Sequence, residues 1–224
     1  MCIVVLNKKG LIKEETLWEC WMNNPDSFGF AYVENKQIHV RKFIVEDPTE
    51  AFKEYFAVRM KNKLPILLHF RIATHGKIDT ANCHPFYVSK SLVFAHNGII
   101  SIPQKEKEFS DTVHFNRNIL QHLPEKFYKD KTLLRVLSMA VGSGNKLAFL
   151  DNAGYYSIVN ARLGLWDGGN WYSNTTYKPY DSPYYTKYDW SDIYGIEKTA
   201  KQSRDPFYFN QYPGTNDILN QWKD

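Results

Sequence analysis

One stretch of the chain constrains its fold more than any other. Residues 64–70 form a dense apolar run, which is typical of a central strand because a strand covered on both faces shows no polar alternation. Residues 3–6 form a second, shorter apolar run that ends in a polar turn, and they predict another buried strand. The chain therefore predicts a sheet whose central strands are covered.

The other predicted helices and strands occur in groups along the chain and do not alternate strictly. Apolar residues at helical spacing predict helices over 14–22, 49–61, 111–123 and 132–141. Further strands are predicted at 28–33, 37–45, 87–95, 146–150, 155–160, 163–166 and 170–173. This order predicts an α+β layered domain rather than repeated βα units.

The chain has 224 residues, of which 43% are hydrophobic, enough for one sizeable core. Tyrosine is unevenly spread, with eight of the 15 tyrosines at or after Tyr177. We predict one domain over residues 2–174 and a Tyr-rich C-terminal extension over residues 175–224, either irregular or partly disordered.

The net charge of +4 is mild and no long basic run exists, so no nucleic-acid partner is expected. No apolar run approaches the ~20 residues of a membrane span, so no membrane partner is expected. The three cysteines are an odd number, so they do not form a complete set of disulfide pairs, and no signal peptide is evident. We expect a cytoplasmic protein with free thiols in a reducing compartment.

Cys2 follows the first methionine directly. If Met1 is removed, one residue carries both a thiol nucleophile and a free α-amine whose ordinary pKa, near ~8, suits a general base. The ordinary alternative is a small buried residue at the start of a strand.

Polar residues follow the predicted central strands. Arg71 can bind a carboxylate in a bidentate manner or form a surface ion pair, and Thr74 and His75 can be pocket or turn residues. Asn97-Gly98 is either a tight turn or an oxyanion hole, built from a side-chain amide and a backbone N–H. Asp111 either caps a helix or binds a substrate ammonium group.

A histidine-rich segment raises the question of a metal. Cys83 and His84, with His69, His75 and His96, fit no common zinc spacing, so neither a metal nor another cofactor is predicted. His84-Pro85 is instead expected to form a structural turn with a hydrogen-bonded imidazole inside.

Taken in order, these motifs resemble the class II glutamine amidotransferase domain. This is the glutaminase domain of glucosamine-6-phosphate synthase and its relatives, within the N-terminal nucleophile hydrolase superfamily. The resemblance implies a four-layer αββα sandwich. It is carried by Cys2, Asp26-Ser27-Phe28-Gly29, Arg71-Ile72-Ala73-Thr74-His75-Gly76, His84-Pro85, His96-Asn97-Gly98-Ile99-Ile100 and Ser110-Asp111-Thr112.

The resemblance also implies the chemistry. Cys2 would attack the side-chain amide of glutamine with its own α-amine as general base, giving glutamate and ammonia through a thioester. Asn97 and Gly98 would form the oxyanion hole.

The same resemblance implies the substrate contacts. Arg71 would bind the α-carboxylate of glutamine and Asp111 its α-ammonium group. Thr74 and His75 would line the pocket.

The chain departs from this family at two points. Ile72 stands where the synthases carry a Trp that helps to seal the site, and only about 50 Tyr-rich residues follow the domain. We therefore expect the ammonia to pass to a separate partner enzyme. Two alternatives are an N-terminal cysteine amidohydrolase acting on another γ-glutamyl amide, and a non-catalytic binding module.

Overall fold

A computed structural model of the protein describes residues 2–74 and 76–179, and its strands form two antiparallel sheets. The first sheet has six strands in the order β3-β2-β4-β1-β10-β9, and the second has four in the order β5-β6-β7-β8. The strands are β1 (Ile3–Asn7), β2 (Ser27–Glu34), β3 (Gln37–Phe43), β4 (Ile66–Arg71), β5 (Phe86–Ser89), β6 (Leu92–Asn97), β7 (Lys146–Asp151), β8 (Tyr156–Val159), β9 (Leu165–Asp167) and β10 (Asn170–Tyr172).

Helices cover the outer faces of both sheets. They are α1 (Glu14–Asn23), α2 (Thr49–Lys61), α3 (Asp111–Asn118) and α4 (Lys131–Val141), with short 3-10 turns at Leu120–His122, Phe127–Lys129 and Ala161–Leu163. Side chains of α1 and α2 share a core with the first sheet, and those of α3 and α4 share a core with the second. Within the described ranges, no helix is both long and apolar enough to cross a membrane.

A third core lies between the two sheets, and it explains the continuous apolar runs. In β1, Ile3 and Val5 pack toward the helices, whereas Val4 and Leu6 pack toward the second sheet. Both faces of the strand are thus buried, so no position in it can be polar without a partner. The four layers are helix, sheet, sheet and helix, which confirms the αββα sandwich and the α+β class.

The predicted single strand over residues 87–95 was wrong. The segment is a hairpin of β5 and β6, and the pairing shifts register between Tyr87 and Ser89. Ser89 and Ser91 flank the turn, and their hydroxyls lie 3.2 Å apart. The polar Ser-Lys-Ser sequence favours a turn over a continuous strand, although apolar residues stand on both sides.

The helix predicted over residues 111–123 is shorter than expected. It ends at Asn118, and the backbone N–H of Ile119 donates to the carbonyl of Phe115 before a 3-10 turn begins. Asn and the β-branched Ile are both weak helix formers, which explains the break.

The start of the Tyr-rich extension packs on the first sheet. The Tyr177 ring stacks on Tyr172 at 3.8 Å between centroids, and its hydroxyl donates to Asp167 at 2.8 Å. The rest of the extension, residues 180–224, lies outside the described residues, as does His75.

Candidate active site

The Cys2 thiol lies where β1 begins, beside the end of β4. The register pairs Ile3 with Phe70, so Cys2 lies opposite Arg71 and one residue away from Ile72. The Cys2 Sγ donates to the Ile72 carbonyl at 3.3 Å and accepts from the Ile72 N–H at 3.4 Å. Burial raises the pKa of the Cys2 thiol, while the Ile72 N–H and the Arg71 charge act in the opposite direction. The Ile72 backbone holds the thiol, so these two contacts do not depend on its side chain.

Two side-chain amides converge on the carbonyl oxygen of Cys2. The Asn97 Nδ2 donates to it at 2.6 Å and the Asn174 Nδ2 donates to it at 2.7 Å. Asn97 ends β6 in the second sheet, whereas Asn174 follows β10 in the first. Both sheets therefore contribute a donor to the same peptide group.

Asn97 is held in place from β7. It is buried, and its Oδ1 accepts from the Nζ of Lys146, its register partner, at 3.4 Å. Burial lowers the pKa of the Lys146 ammonium group. Because an amide whose oxygen is bound cannot flip without losing that contact, Lys146 favours the orientation in which the nitrogen points at Cys2.

Gly98 is required by its surroundings. Its φ is +139°, and a Cβ at this position would overlap the side chain of Asn145. Any other residue would be strained here and would push Asn145 away. The backbone after Asn97 therefore lies closer to its neighbours than a side chain allows.

His96 supports this turn from inside the second sheet. Its ring nitrogens lie 2.8 Å from Thr112 Oγ1 and 2.8 Å from Asn145 Oδ1. Asn145 in turn donates to the Val141 carbonyl at 2.6 Å. Burial lowers the pKa of His96, so its ring is a neutral hydrogen-bonding group that links β6, α3 and the end of α4.

Arg71 is the last residue of β4, and its side chain is buried. Its Nη1 donates to the Lys77 carbonyl at 3.0 Å. Asp26 holds the chain on both sides of the next residue, Ile72: the Asp26 N–H donates to the Arg71 carbonyl at 3.0 Å, and Asp26 Oδ2 accepts from the Ala73 N–H at 2.6 Å. The Asp-Ser-x-Gly segment thus shapes the turn that carries the guanidinium.

Asp111 begins α3 and is buried. The cap is the preceding Ser110, whose hydroxyl accepts from Val113, so the carboxylate of Asp111 is directed elsewhere. Its Oδ2 accepts from the Ile100 N–H at 2.6 Å and its Oδ1 from the Thr112 N–H at 2.7 Å. Asp111 therefore ties the loop after Gly98 to α3.

The structure brings most of the expected site residues together. Cys2, Asn97 and Gly98 form one cluster, Arg71 adjoins it through Ile72, and Asp111 adjoins it through the loop after Gly98. Thr74 is exposed in the loop after β4.

Three polar neighbours were missed by the sequence analysis: Asn145, Lys146 and Asn174. Asn145 and Lys146 lie far from residues 96–98 along the chain, and only strand pairing brings them close. Asn174 stands in an unremarkable Ser-Asn-Thr-Thr segment. Its short polar residues predict a local turn, but they give no indication of a long-range partner.

A buried histidine pair lies behind the site. The His69 and His84 rings stack at 4.0 Å, and His69 Nε2 lies 3.1 Å from the His96 carbonyl. The expectation of a hydrogen-bonded His84 imidazole was wrong: within the described structure neither ring nitrogen has a partner. The ring instead packs against His69 and Phe86, and burial lowers the pKa of His84 well below its ordinary value.

Close packing surrounds the histidine pair. Among residues 2–74 and 76–179, no group of three or more His, Cys, Asp or Glu side chains is arranged to hold an ion. His84 is fixed by packing, since a Cβ on Gly29 would collide with the His84 carbonyl. Close contact between β2 and this segment accounts for the glycine.

Comparison with known proteins identifies the family. The sequence model of the class-II glutamine amidotransferases matches residues 18–140, more than half of the chain. The chain belongs to the class-II glutamine amidotransferases. The matched range includes Arg71, Asn97, Gly98 and Asp111, whereas Cys2 lies before it.

The chain is also similar to two curated enzymes named glutamine–fructose-6-phosphate aminotransferase (isomerizing). It is 28% identical over 153 residues to that of Buchnera aphidicola subsp. Acyrthosiphon pisum (strain APS), covering 62% of this chain and 24% of the relative. It is 29% identical over 136 residues to that of Helicobacter pylori (strain J99), covering 56% and 22%. The chain thus spans about a quarter of the length of these relatives.

Two solved structures are similar to this chain at lower sequence identity. Glutamine phosphoribosylpyrophosphate amidotransferase from B. subtilis has a TM-score of 0.46 at 16% identity and covers 77% of this chain and 41% of its own. A glutamine aminotransferase class-II domain protein from Silicibacter pomeroyi has a TM-score of 0.35 at 17% identity and covers 68% and 73%. Overlaps at this level carry no conclusion about function.

Proposed function

We propose that residues 2–174 hydrolyse the side-chain amide of glutamine to glutamate and ammonia, with Cys2 as the nucleophile once Met1 has been removed. The proposal rests on the position of Cys2 beside Asn97 and Gly98, since Asn97 donates to the Cys2 carbonyl. A thiol, a side-chain amide and a glycine turn are brought together from two different sheets. Membership of the class-II glutamine amidotransferases supports the reaction class.

In the proposed first step, the Cys2 Sγ attacks the amide carbon of the substrate and the α-amine of Cys2 accepts the thiol proton. The negative charge that develops on the substrate oxygen is stabilised by the Nδ2 of Asn97, which turns toward it, and by the Gly98 N–H. The carbon–nitrogen bond then breaks, and ammonia leaves with the proton held by the α-amine. Water hydrolyses the resulting thioester, which releases glutamate and restores the thiol.

The burial of Cys2 gives the α-amine a clear role. Because burial raises the pKa of the thiol, a free thiolate is disfavoured at rest. A base on the same residue can remove the proton as attack occurs, without a standing negative charge. A chain that keeps Met1 has no such amine and is expected to be inactive.

We propose that Arg71 binds the α-carboxylate of glutamine and Asp111 its α-ammonium group, with Thr74 and His75 completing the pocket. Arg71 and Asp111 are both buried, and charged groups held away from water bind ions of opposite charge more strongly than exposed ones do. Arg71 precedes the residue that contacts the Cys2 thiol, and Asp111 accepts from Ile100 in the loop after Asn97. Together they would select a free α-amino acid.

The ammonia is proposed to pass to a separate enzyme in the same compartment, which we take to be the cytoplasm. The relatives named above are aminotransferases that are about four times longer than the matched segment. The Tyr-rich extension is a candidate contact for such a partner, since aromatic side chains are enriched at interfaces.

The test is glutamate release from glutamine by protein whose N-terminus has been shown by intact mass to begin at Cys2. Cys2→Ala should abolish release, whereas Cys20→Ala, which removes a thiol from the core beside α1, should retain it. Acid-quenched samples should show a mass increase of one glutamyl group on the wild type and on Cys20→Ala, but not on Cys2→Ala. If wild type and Cys2→Ala release equal amounts with candidate acceptor enzymes present, the proposal fails.

A second candidate substrate is a different γ-glutamyl amide. Ile72 favours it, because its backbone contacts the Cys2 thiol and it stands at the position where the synthases carry an indole. A panel of γ-glutamyl amides separates the two candidates. A compound with a higher kcat/KM than glutamine would support this second candidate, and equal or lower values across the panel would oppose it.

A further inference from the structure

The carbonyl oxygen of Cys2 accepts hydrogen bonds from two side-chain amides. One of these amides, that of Asn97, is also proposed to bind the substrate. Asn97 donates at 2.6 Å and Asn174 at 2.7 Å. In the reaction proposed above, Asn97 must stabilise a charged oxygen on the substrate. If Asn97 moves toward that oxygen, its bond to the Cys2 carbonyl weakens, and Asn174 is then the donor that remains.

Asn174 is oriented for this contact by a neighbour on its own segment. Its Oδ1 accepts from the Thr176 N–H at 3.0 Å and from the Thr176 hydroxyl at 2.7 Å. With its oxygen bound twice, the amide is oriented with its nitrogen toward Cys2. Thr176 is itself anchored to the end of α1, because its carbonyl accepts from Asn23 Nδ2 at 3.0 Å.

The backbone before Asn174 is tied to the strand that carries the nucleophile. The Ser173 N–H donates to the Val4 carbonyl at 2.9 Å, and the Val4 N–H donates to the Ser173 hydroxyl at 2.9 Å. These bonds continue the pairing of β1 with β10. The backbone bond from Ser173 to Val4, which does not depend on the Ser173 side chain, therefore sets the distance from Asn174 to Cys2.

We propose that Asn174 is a positioning residue for the Cys2 nucleophile: it holds the Cys2 carbonyl in place while the Asn97 amide turns to the oxyanion. This inference rests on the proposed amidohydrolase function. A fixed carbonyl fixes the peptide plane that follows Cys2, and with it the position of the Cα that carries the thiol and the α-amine. Asn174 touches neither substrate nor reacting atoms, so its effect should fall on kcat rather than on KM.

The experiment compares three variants of the full chain with processed N-termini. Asn174→Ala removes the donor to Cys2. Thr176→Val keeps the shape of Thr176 but removes the hydroxyl that orients Asn174. Ser173→Ala is the matched control, since it removes one bond between the same two strands and leaves both donors to the Cys2 carbonyl. Glutaminase kinetics, thermal unfolding and the pH profile of Cys2 alkylation by iodoacetamide are measured for each.

A displaced nucleophile costs about 10²-fold in rate, so kcat should fall by about that factor in Asn174→Ala and by less in Thr176→Val. KM should change by less than about twofold. The pH at half-maximal alkylation should fall in Asn174→Ala, because a released Cys2 is less buried, and a buried thiol has a raised pKa. Ser173→Ala should match the wild type in kcat and in the alkylation profile, even if its melting temperature is lower.

Unchanged kcat and alkylation in Asn174→Ala would overturn the proposal. Equal losses in Asn174→Ala and Ser173→Ala would also overturn it, because they would show a general loosening of the strand pair. The alkylation profile needs no substrate. If the wild type releases no glutamate, the proposed function fails, while the comparison of alkylation profiles still decides the role of Asn174.

Discussion

The backbone N–H of Ile100 donates to the carboxylate of Asp111 at 2.6 Å. This bond joins the loop of the proposed oxyanion hole to the residue proposed to bind the substrate ammonium group. A change at Asp111 can therefore act on binding through its charge and on catalysis through the loop. The two effects are separable by kinetics.

Asp111→Asn keeps an acceptor for Ile100 but removes the negative charge. Hydrogen bonds to charged groups are worth about 1.5–3 kcal/mol, so KM for glutamine should rise by about tenfold or more, with a smaller change in kcat. Asp130→Asn is the matched control, because Asp130 also stands at a helix N-terminus, where it caps α4. A KM in Asp111→Asn equal to that of the wild type would rule out the ammonium contact.

Asn97→Ala removes the side-chain donor of the proposed oxyanion hole. Loss of one such donor costs about 10²–10³ in kcat, and KM should change little. Asn118→Ala, an exposed position at the end of α3, should leave kcat unchanged. Steady-state kinetics on both variants check this, and an Asn97→Ala enzyme with more than half of the wild-type kcat would contradict the assignment.

Gly98→Ala should both destabilise and inactivate the protein. Its φ of +139° is unfavourable for a residue with a Cβ, and that Cβ would overlap Asn145. Strained backbone of this kind costs about 1–3 kcal/mol, measurable by urea unfolding. Gly144→Ala is the control, since a Cβ there meets nothing within 4 Å. If Gly98→Ala and Gly144→Ala have equal free energies of unfolding, the backbone at Gly98 accommodates a Cβ without strain, contrary to this prediction.

Stability should fall in acid because of the buried histidine pair. Burial lowers the pKa of His69 to about 3 from an ordinary 6.5 and lowers that of His84 as well. The unfolded chain therefore binds protons that the folded chain does not. The stabilisation is complete above the ordinary pKa and is lost as the pH falls below it, by about 1.4 kcal/mol per pH unit for each histidine.

Urea unfolding at about pH 7.5 and about pH 5 measures this slope. His84→Phe keeps an aromatic ring in the stack and removes one titrating group, so its slope should be shallower than that of the wild type. His122→Gln alters an exposed histidine and should leave the slope unchanged. If stability changes with pH equally in His84→Phe and in the wild type, groups other than His84 cause the loss of stability in acid.

Much of the fold could be predicted because burial on two faces leaves a clear sequence pattern. The apolar runs of β1 and β4 were identified as buried strands, and α2 begins and ends where its spacing predicts. The hairpin of β5 and β6 was missed, since a two-residue turn between apolar segments interrupts the pattern only briefly. Pairing order between distant strands, such as β1 with β10, leaves no local pattern.

Candidate site residues could be named from the sequence where a residue type carries its own chemistry. Cys2, Arg71 and Asn97 were proposed because a thiol, a guanidinium and an Asn-Gly pair each suggest a role, and their roles stay predictions. Lys146 and Asn174 were not found, because their importance comes only from what strand pairing places beside them. His75 lies outside the described residues, so its predicted place in the pocket stays a prediction.

The strand that carries Cys2 has one neighbour, β4, from the first half of the described chain and another, β10, close to its end. During synthesis the first neighbour is available early, whereas the second and Asn174 are made only after residue 170. Until β10 is made, the edge of β1 opposite β4 has no partner strand among the described residues. We expect enzymes that trim nascent chains to reach Met1 in that interval, before β10 and Asn174 pack beside the residue that follows it.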